Sequence, residues 1–328
     1  MTLTIYTSPL SLKHDTGHGH PESPARVIML ETLFETLNIP VKQAKAAELE
    51  TILLAHTEDY VFDLQDKTPD HGLAAIDGDT ILSPDSYDAA LYAAGAVCDA
   101  VDDMFSNNED DNSAERPPAC GHDGHKNAQH AFCAIRPPGH HAEPNAAMGF
   151  CLFNNIFIGA RYAQEKYGVK KIAIVDFDVH HGNGTQTMTR AHNAEHPDKP
   201  VLYISSHGYP LFPMGGDPAD NNDTLLNIRL PDHCGSDDFR KLYEQKVFPA
   251  LETFAPDLLM LSSGFDAHKD DPLAPIMLET QDYGWLTRRL CDIAEKVSKG
   301  RIISVLEGGY HLEALKDCVH THLRELSA

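Results

Sequence analysis

The sequence predicts an α/β protein with a mainly parallel central sheet sandwiched by helices. Three observations predict it. Short apolar runs recur at 131–135, 171–176, 200–205, 257–262 and 301–306. Segments with helical spacing follow at 154–166, 236–254, 279–297 and 311–325. The chain is also long enough, at 328 residues and 42% hydrophobic, to bury a large core. Strands alternating with helices imply parallel strands joined by helical crossovers, with both sheet faces covered. In such folds ligands bind beyond the carboxyl ends of the strands.

Thr2 to Thr7 alternates and reads as a first strand. Ser11 to His20 is a loop rich in His and Gly. Ser23 then caps a helix with Pro24 at its first position, and Val27, Leu30, Leu33, Phe34 and Leu37 recur at helical spacing. Helices are expected over about 56–66 and 84–105, the second opened by Ser83-Pro84. Residues 106–128 are polar and acidic, with Pro117-Pro118, and read as a surface loop. With no Gly/Ser linker and no repeat, residues 1–328 are expected to form a single domain.

Composition excludes several classes. The first residues lack a basic and then an apolar stretch, so no signal peptide is expected. No apolar run approaches the ~20 residues that span a bilayer, so no membrane partner is expected and a cytoplasmic location is. Seven cysteines, an odd number without a CxxC pair, argue for buried thiols rather than disulfides. A net charge of −23 repels phosphate backbones, which excludes direct nucleic-acid binding. Such a surface suits basic tails or polyamines, or serves solubility alone.

The chemistry lies at the strand ends. Lys171 to Asp176 continues as Phe177-Asp178-Val179-His180-His181-Gly182-Asn183-Gly184. Alternation aims Asp176, Asp178 and His180 the same way. Buried carboxylates need compensation, and a divalent cation supplies it. Strand 257–262 leads to Asp266, also just past a carboxyl end. Asp178, His180 and Asp266 would form a three-ligand N/O site with open positions, as in catalytic zinc centres; manganese or iron would also suit the carboxylates.

A second cluster, Arg136-Pro137-Pro138-Gly139-His140-His141, sets adjacent histidines on a rigid loop, suited to general acid–base work. Asp176 and Asn183 are the expected partners at their second nitrogens. A third, Glu307-Gly308-Gly309-Tyr310, places a phenol where it could donate to a developing oxyanion, with Gly309 letting backbone approach a ligand. Gly149-Phe150 and Phe212 put aromatic rings on loops after strands, either as walls of a narrow slot or as core packing.

Together these motifs resemble, in chain order, the signatures of the zinc-dependent histone deacetylases; His20-Pro-Glu-Ser-Pro-Ala-Arg26 resembles that family's N-terminal motif. Asn183 in place of Asp makes the chain look like the class II branch and its bacterial amidohydrolase relatives. The resemblance implies the arginase–deacetylase fold. It implies one Zn2+ per chain on Asp178, His180 and Asp266, with His141 as general base and acid. His140, paired with Asp176, becomes its electrostatic helper, and Tyr310 polarises the acetyl carbonyl. Gly149, Phe150, Phe212 and Gly309 line the acyl-lysine tunnel. A structural K+ is implied at Asp176 and the backbone near Asp178, His180, Ser205 and Ser206. Arg26 would lie near an inner acetate channel, and Asp79 would contact substrate backbone.

The implied substrates are acetylated lysine side chains or acetylated small amines, and an oligomer is compatible with the sequence. An acetylpolyamine amidohydrolase would use the same site, but Leu273 stands where polyamine-preferring relatives carry an acidic gatekeeper. An arginase-like ureohydrolase would need more carboxylate ligands. A catalytically inactive acyl-lysine-binding module would not need the intact set. The 106–128 loop, with His122 and His125, and His130 after it, departs from the family motifs. It is expected either to rim the entrance or to bind metal adventitiously.

Overall fold

The computed structural model describes residues 2–106 and 129–328. The expected loop at 106–128 therefore lies outside the described residues, except for Ser106, which ends a helix.

The chain opens with β1 (Thr2–Thr7), α1 (Ala25–Leu37) and β2 (Val41–Gln43). Helices α2 (Leu49–Ile52) and α3 (Glu58–Lys67) and the antiparallel pair β3 (Ala74–Ala75) and β4 (Ile81–Leu82) precede the long α4 (Ser86–Ser106). The alternation then runs β5 (Gln129–Cys133), α5 (Asn155–Tyr167), β6 (Ile172–Asp176), α6 (Asn183–Glu195), β7 (Val201–Gly208) and β8 (Leu225–Leu230). It ends with α7 (Ser236–Leu242), α8 (Phe248–Phe254), β9 (Leu258–Ser263), α9 (Thr280–Val297), β10 (Ile302–Leu306) and α10 (Leu312–Leu326).

Among the described residues eight strands form one sheet in the order β2-β1-β5-β10-β9-β6-β7-β8, and every pairing in it is parallel. The expected fold class is thus the observed one. Strands β6, β9 and β10 are buried at every position and carry no polar alternation, as covered faces require. Successive residues serve opposite layers. Ala173, Val175, Leu259 and Leu261 pack with α1, α9 and α10 through Leu30, Leu290 and Val319. Ile172, Ile174 and Met260 pack with α4 and α5 through Val97, Ile156 and Ala160. Truncating Ile174 or Leu261 to Ala removes buried methyls and leaves a cavity, a loss of about 2–5 kcal/mol.

Three expectations are corrected. Helix α1 starts at Ala25, so Pro24 takes the cap position and Ser23 makes no side-chain cap. The segment at 236–254 is two α-helices joined by a π turn over Tyr243–Val247. Pro249, one residue into α8, has no N–H to give the carbonyl four residues back. Strand β6 stops at Asp176, and the chain bends after it. Among the described cysteines all six are buried and free. No described helix is long and apolar enough to cross a membrane.

Candidate active site and metal centre

The loops leaving β5, β6, β7, β9 and β10 meet beyond the carboxyl end of the sheet. Asp176, the last residue of β6, does not join Asp178 and His180 in the cluster they form with Asp266. Asp176 Oδ2 instead faces His140 Nδ1 at 3.1 Å and accepts the Tyr203 hydroxyl at 2.8 Å.

Asp178 and His180 converge with Asp266. His180 Nδ1 lies 3.0 Å from Asp266 Oδ2 and 3.2 Å from Asp178 Oδ1. Backbone amides aim the carboxylates: Gly308 N–H donates to Asp178 Oδ2 and Val179 N–H to Asp266 Oδ1, each at 2.8 Å. Both carboxylates are fully buried. Burial and the Asp178 charge beside it push the Asp266 carboxyl up to about 7. One Nδ1–H cannot satisfy two buried carboxylates; a cation at the point they share would. The three donor atoms lie within 4.8 Å of one another. The two shorter separations approach the ~3.3 Å between ligands held about 2.0 Å from a tetrahedral zinc. The residues therefore fit a divalent metal. His140, Cys151 and Glu307 form a second group of potential ligands. Its Glu307 is already engaged by Gly139 N, His140 N and Ser262 Oγ, and burial pushes the Cys151 thiol well up.

The His140 and His141 rings pack tilted at 42°, with centres 4.0 Å apart. His141 Nδ1 lies 2.9 Å from Asn183 Oδ1, an acceptor only, so Nδ1 carries the proton and Nε2 the lone pair. The amide of Asn183 is fixed in turn by Glu143 Oε1 at 2.6 Å. Both pairings match those expected from sequence. Burial disfavours charge on His140, but Asp176 and Asp178 outweigh it and push the imidazole up to about 10. Burial, with His140 and His180 adding to it, holds His141 well below the usual histidine range. The arrangement thus pairs a charged imidazole with a neutral one.

Past β10, Gly309 adopts φ +120°. Arg26 Nε donates to its carbonyl at 2.7 Å, and the guanidinium sits 5.1 Å over the Tyr310 ring. The Phe150 ring packs edge-on to Tyr310 at 5.8 Å, and Phe212 edge-on to His141 at 5.0 Å. Gly149 has φ +56°, and a Cβ there would lie 2.6 Å from His141 and 2.8 Å from Phe212. Thr80 Oγ1 accepts the Phe150 N–H at 3.2 Å. Phe212 is 42% exposed, a rim residue more than a core one.

The other residues singled out from sequence fall as follows. Ser205 pairs with Asp176 in register, and Ser206 follows; both are buried, with their hydroxyls on His207 and Tyr243. Asp79 lies in a cleft of about 420 Å3 that also includes His18, His20 and Phe150. Leu273 is partly exposed. His122 and His125 lie outside the described residues. His130 does not rim the site: it is buried in β5, toward the amino end of the sheet, on the Leu326 carbonyl.

Sequence reasoning missed Glu22, Arg136, Asp271 and Glu307. Glu22 is gripped by Arg136 through Nε at 2.5 Å and Nη2 at 2.7 Å, and by Arg26 at 3.1 Å. Only the four-residue spacing of Glu22 and Arg26 on the page of sequence hinted at this.

Nearly every residue of this site lies between positions 20 and 326, the span that matches the histone deacetylase domain family. The chain belongs to the histone deacetylase family. It is 34% identical to a probable deacetylase of Archaeoglobus fulgidus, over 92% of this chain and 79% of that protein. It is 32% identical to the histone deacetylase-like amidohydrolase of Pseudomonas aeruginosa, over 94% and 77%. The solved structure of the HDA15 HD domain superposes with a TM-score of 0.85 at 28% identity, covering 99% of this chain and 89% of that one. The family assignment made from the motifs stands, and with it a deacetylase-type hydrolase.

Proposed function

We propose that this deacetylase is a zinc-dependent amide hydrolase, one catalytic unit along the chain. It removes acetyl or short acyl groups from lysine-like amines and releases acetate. The observation that carries the reading is the convergence of Asp178, His180 and Asp266 on one point beside the His140–His141 pair. Zinc held there by those three side chains would act as a Lewis acid toward the acetyl carbonyl and make water nucleophilic at neutral pH. His141 Nε2 takes a proton from the attacking water, then delivers it to the nitrogen of the breaking C–N bond. His140, charged through Asp176, holds its neighbour neutral and offsets the growing negative charge. The Tyr310 hydroxyl donates to the oxyanion. Burial keeps that phenol well above its ordinary range, so it remains a donor.

Gly149, Phe150, Phe212 and Gly309 line the slot that receives the aliphatic chain and excludes water. Asp79 faces the substrate backbone, and Arg26 the inner end where acetate leaves. A structural potassium ion is assigned to Asp176 and the backbone of Asp178, His180, Ser205 and Ser206. The substrates are acetylated lysine side chains or acetylated small amines. The apolar Leu273 favours the former over acetylpolyamines.

The test is acetate release by zinc-loaded protein from an acetyl-lysine peptide and from acetylputrescine. The expected result is turnover of both with preference for the peptide. Preference for acetylputrescine would move the substrate class, and loaded protein inert on every acyl amine would overturn the reading.

A further inference from the structure

We infer that Asp271 is a positioning residue for Tyr310, setting the tyrosine's place through backbone amides alone. The inference rests on the reading of Tyr310 given above.

Asp271 is 7% exposed and lies in the loop after β9. That loop is pinned at its base, where Leu278 N–H donates to the Ala267 carbonyl at 3.1 Å and Lys269 N–H to the Leu278 carbonyl at 2.9 Å. From this fixed loop Asp271 Oδ2 accepts the Tyr310 N–H at 2.7 Å and the His311 N–H at 3.2 Å. Its Oδ1 accepts the Leu273 N–H at 3.0 Å, which fixes the carboxylate itself. Neither Tyr310 nor His311 lies in a strand or helix, so no ladder secures these two amides. The same segment is held elsewhere by its carbonyls: Arg26 takes those of Gly309 and Glu307. The stretch 307–311 is therefore gripped in two halves: residues 307–309 by Arg26 on two carbonyls, with Phe265 N–H on the Gly308 carbonyl and Gly308 N–H on Asp178, and the amides of Tyr310 and His311 by the Asp271 carboxylate. Gly309, at φ +120°, is the swivel between the two grips. Loosening one grip lets the backbone rotate about that glycine and carries the phenol away from the carbonyl it must meet.

A shift of about 1 Å in a reacting group costs on the order of 10²-fold in rate without touching binding. Asp271→Asn keeps the volume but turns one acceptor into a donor facing an amide. We expect kcat on an acetyl-lysine peptide to fall by about 10- to 100-fold, with KM within about twofold and zinc content unchanged. The decisive arm is a double-mutant cycle. On a Tyr310→Phe background the same change should cost less than about threefold, because the hydroxyl it positions is gone. A cost on that background equal to the single-variant cost would overturn the inference and leave the tyrosine's role standing. Wild-type turnover in Tyr310→Phe alone would instead remove the tyrosine reading, and this inference with it. Should Asp271→Asn not fold, Asp271→Ser takes its place in the cycle. Failure of both to give zinc-loaded folded protein would assign the carboxylate to the fold and overturn the positioning role.

Discussion

Two of the clusters that bury charge in this protein meet the cost in different ways. Glu22 sits between Arg26 and Arg136, and its carboxylate is matched oxygen for oxygen. Arg136 spends its remaining donors on the carbonyls of Ser11 and His14 at 2.6 and 3.0 Å. Burial alone would raise the Glu22 carboxyl, but Arg136 outweighs it and pulls it down to about 2. Asp178, His180 and Asp266 have no such balance: two carboxylates converge on one imidazole nitrogen. A buried network that closes on itself braces the fold. One that leaves like charges aimed at a single point has the chemistry to hold an ion from outside.

The sharpest way to break the comparison is Asp178→Ala. It should abolish metal binding, read as zinc per chain by elemental analysis, and take turnover to background. Full zinc retention would refute the assignment of this cluster. Next in size is Tyr310→Phe, which removes the hydroxyl proposed to donate to the oxyanion and should lower kcat by about 10²–10³-fold with zinc content unchanged. Glu22→Gln attacks the other cluster. It strands two buried guanidinium groups, so chemical denaturation should show a loss of about 3–5 kcal/mol, while zinc per folded chain stays constant. Loss of zinc without loss of stability would reverse the roles assigned to the two clusters.

Acid sharpens the contrast with the smallest effect per group. Burial pushes His14 and His56 down to about 4 and His207 and His322 to about 3, from an ordinary 6.5. Between those values and 6.5 the unfolded chain binds protons that the folded chain refuses. Stability therefore falls as pH drops from 6.5 toward 4, by at most about 1.4 kcal/mol per pH unit for each group. Glu22, with a depressed carboxyl, keeps its contribution until pH falls from about 4.5 toward 2. Thermal midpoints at pH 7, 5.5 and 4.5 should decline in step; a constant midpoint would contradict the buried-neutral histidines.

How much of this could be read from sequence depends on the range of each interaction. Strands β5, β6, β7, β9 and β10 announce themselves as apolar runs, because both faces are covered. Helix α6 escaped notice because Met188 is its one large apolar residue. Strand β2 did too, being three exposed residues at the sheet edge. The histidines and carboxylates that converge at the strand ends were legible because each motif is contiguous. The partnership of His140 with Asp176 and of His141 with Asn183 followed from adjacent strand ends. The grip of Arg136 on Glu22 spans 114 residues, and that of Asp271 on the Tyr310 amide spans 39. No local pattern encodes either. The bend after Asp176 was lost for a related reason: alternation holds only while a strand continues, and the backbone alone knows where it stops.

Gly149 carries a consequence for how such a protein can drift over generations. Any side chain there would press at once on His141 and on Phe212. The width of the proposed slot and the seat of His141 are thus mechanically one part. On the reading proposed above, mutation at this point would disturb rate and selectivity together, and new substrate preferences would arise farther out, at exposed residues such as Leu273 and Asp79.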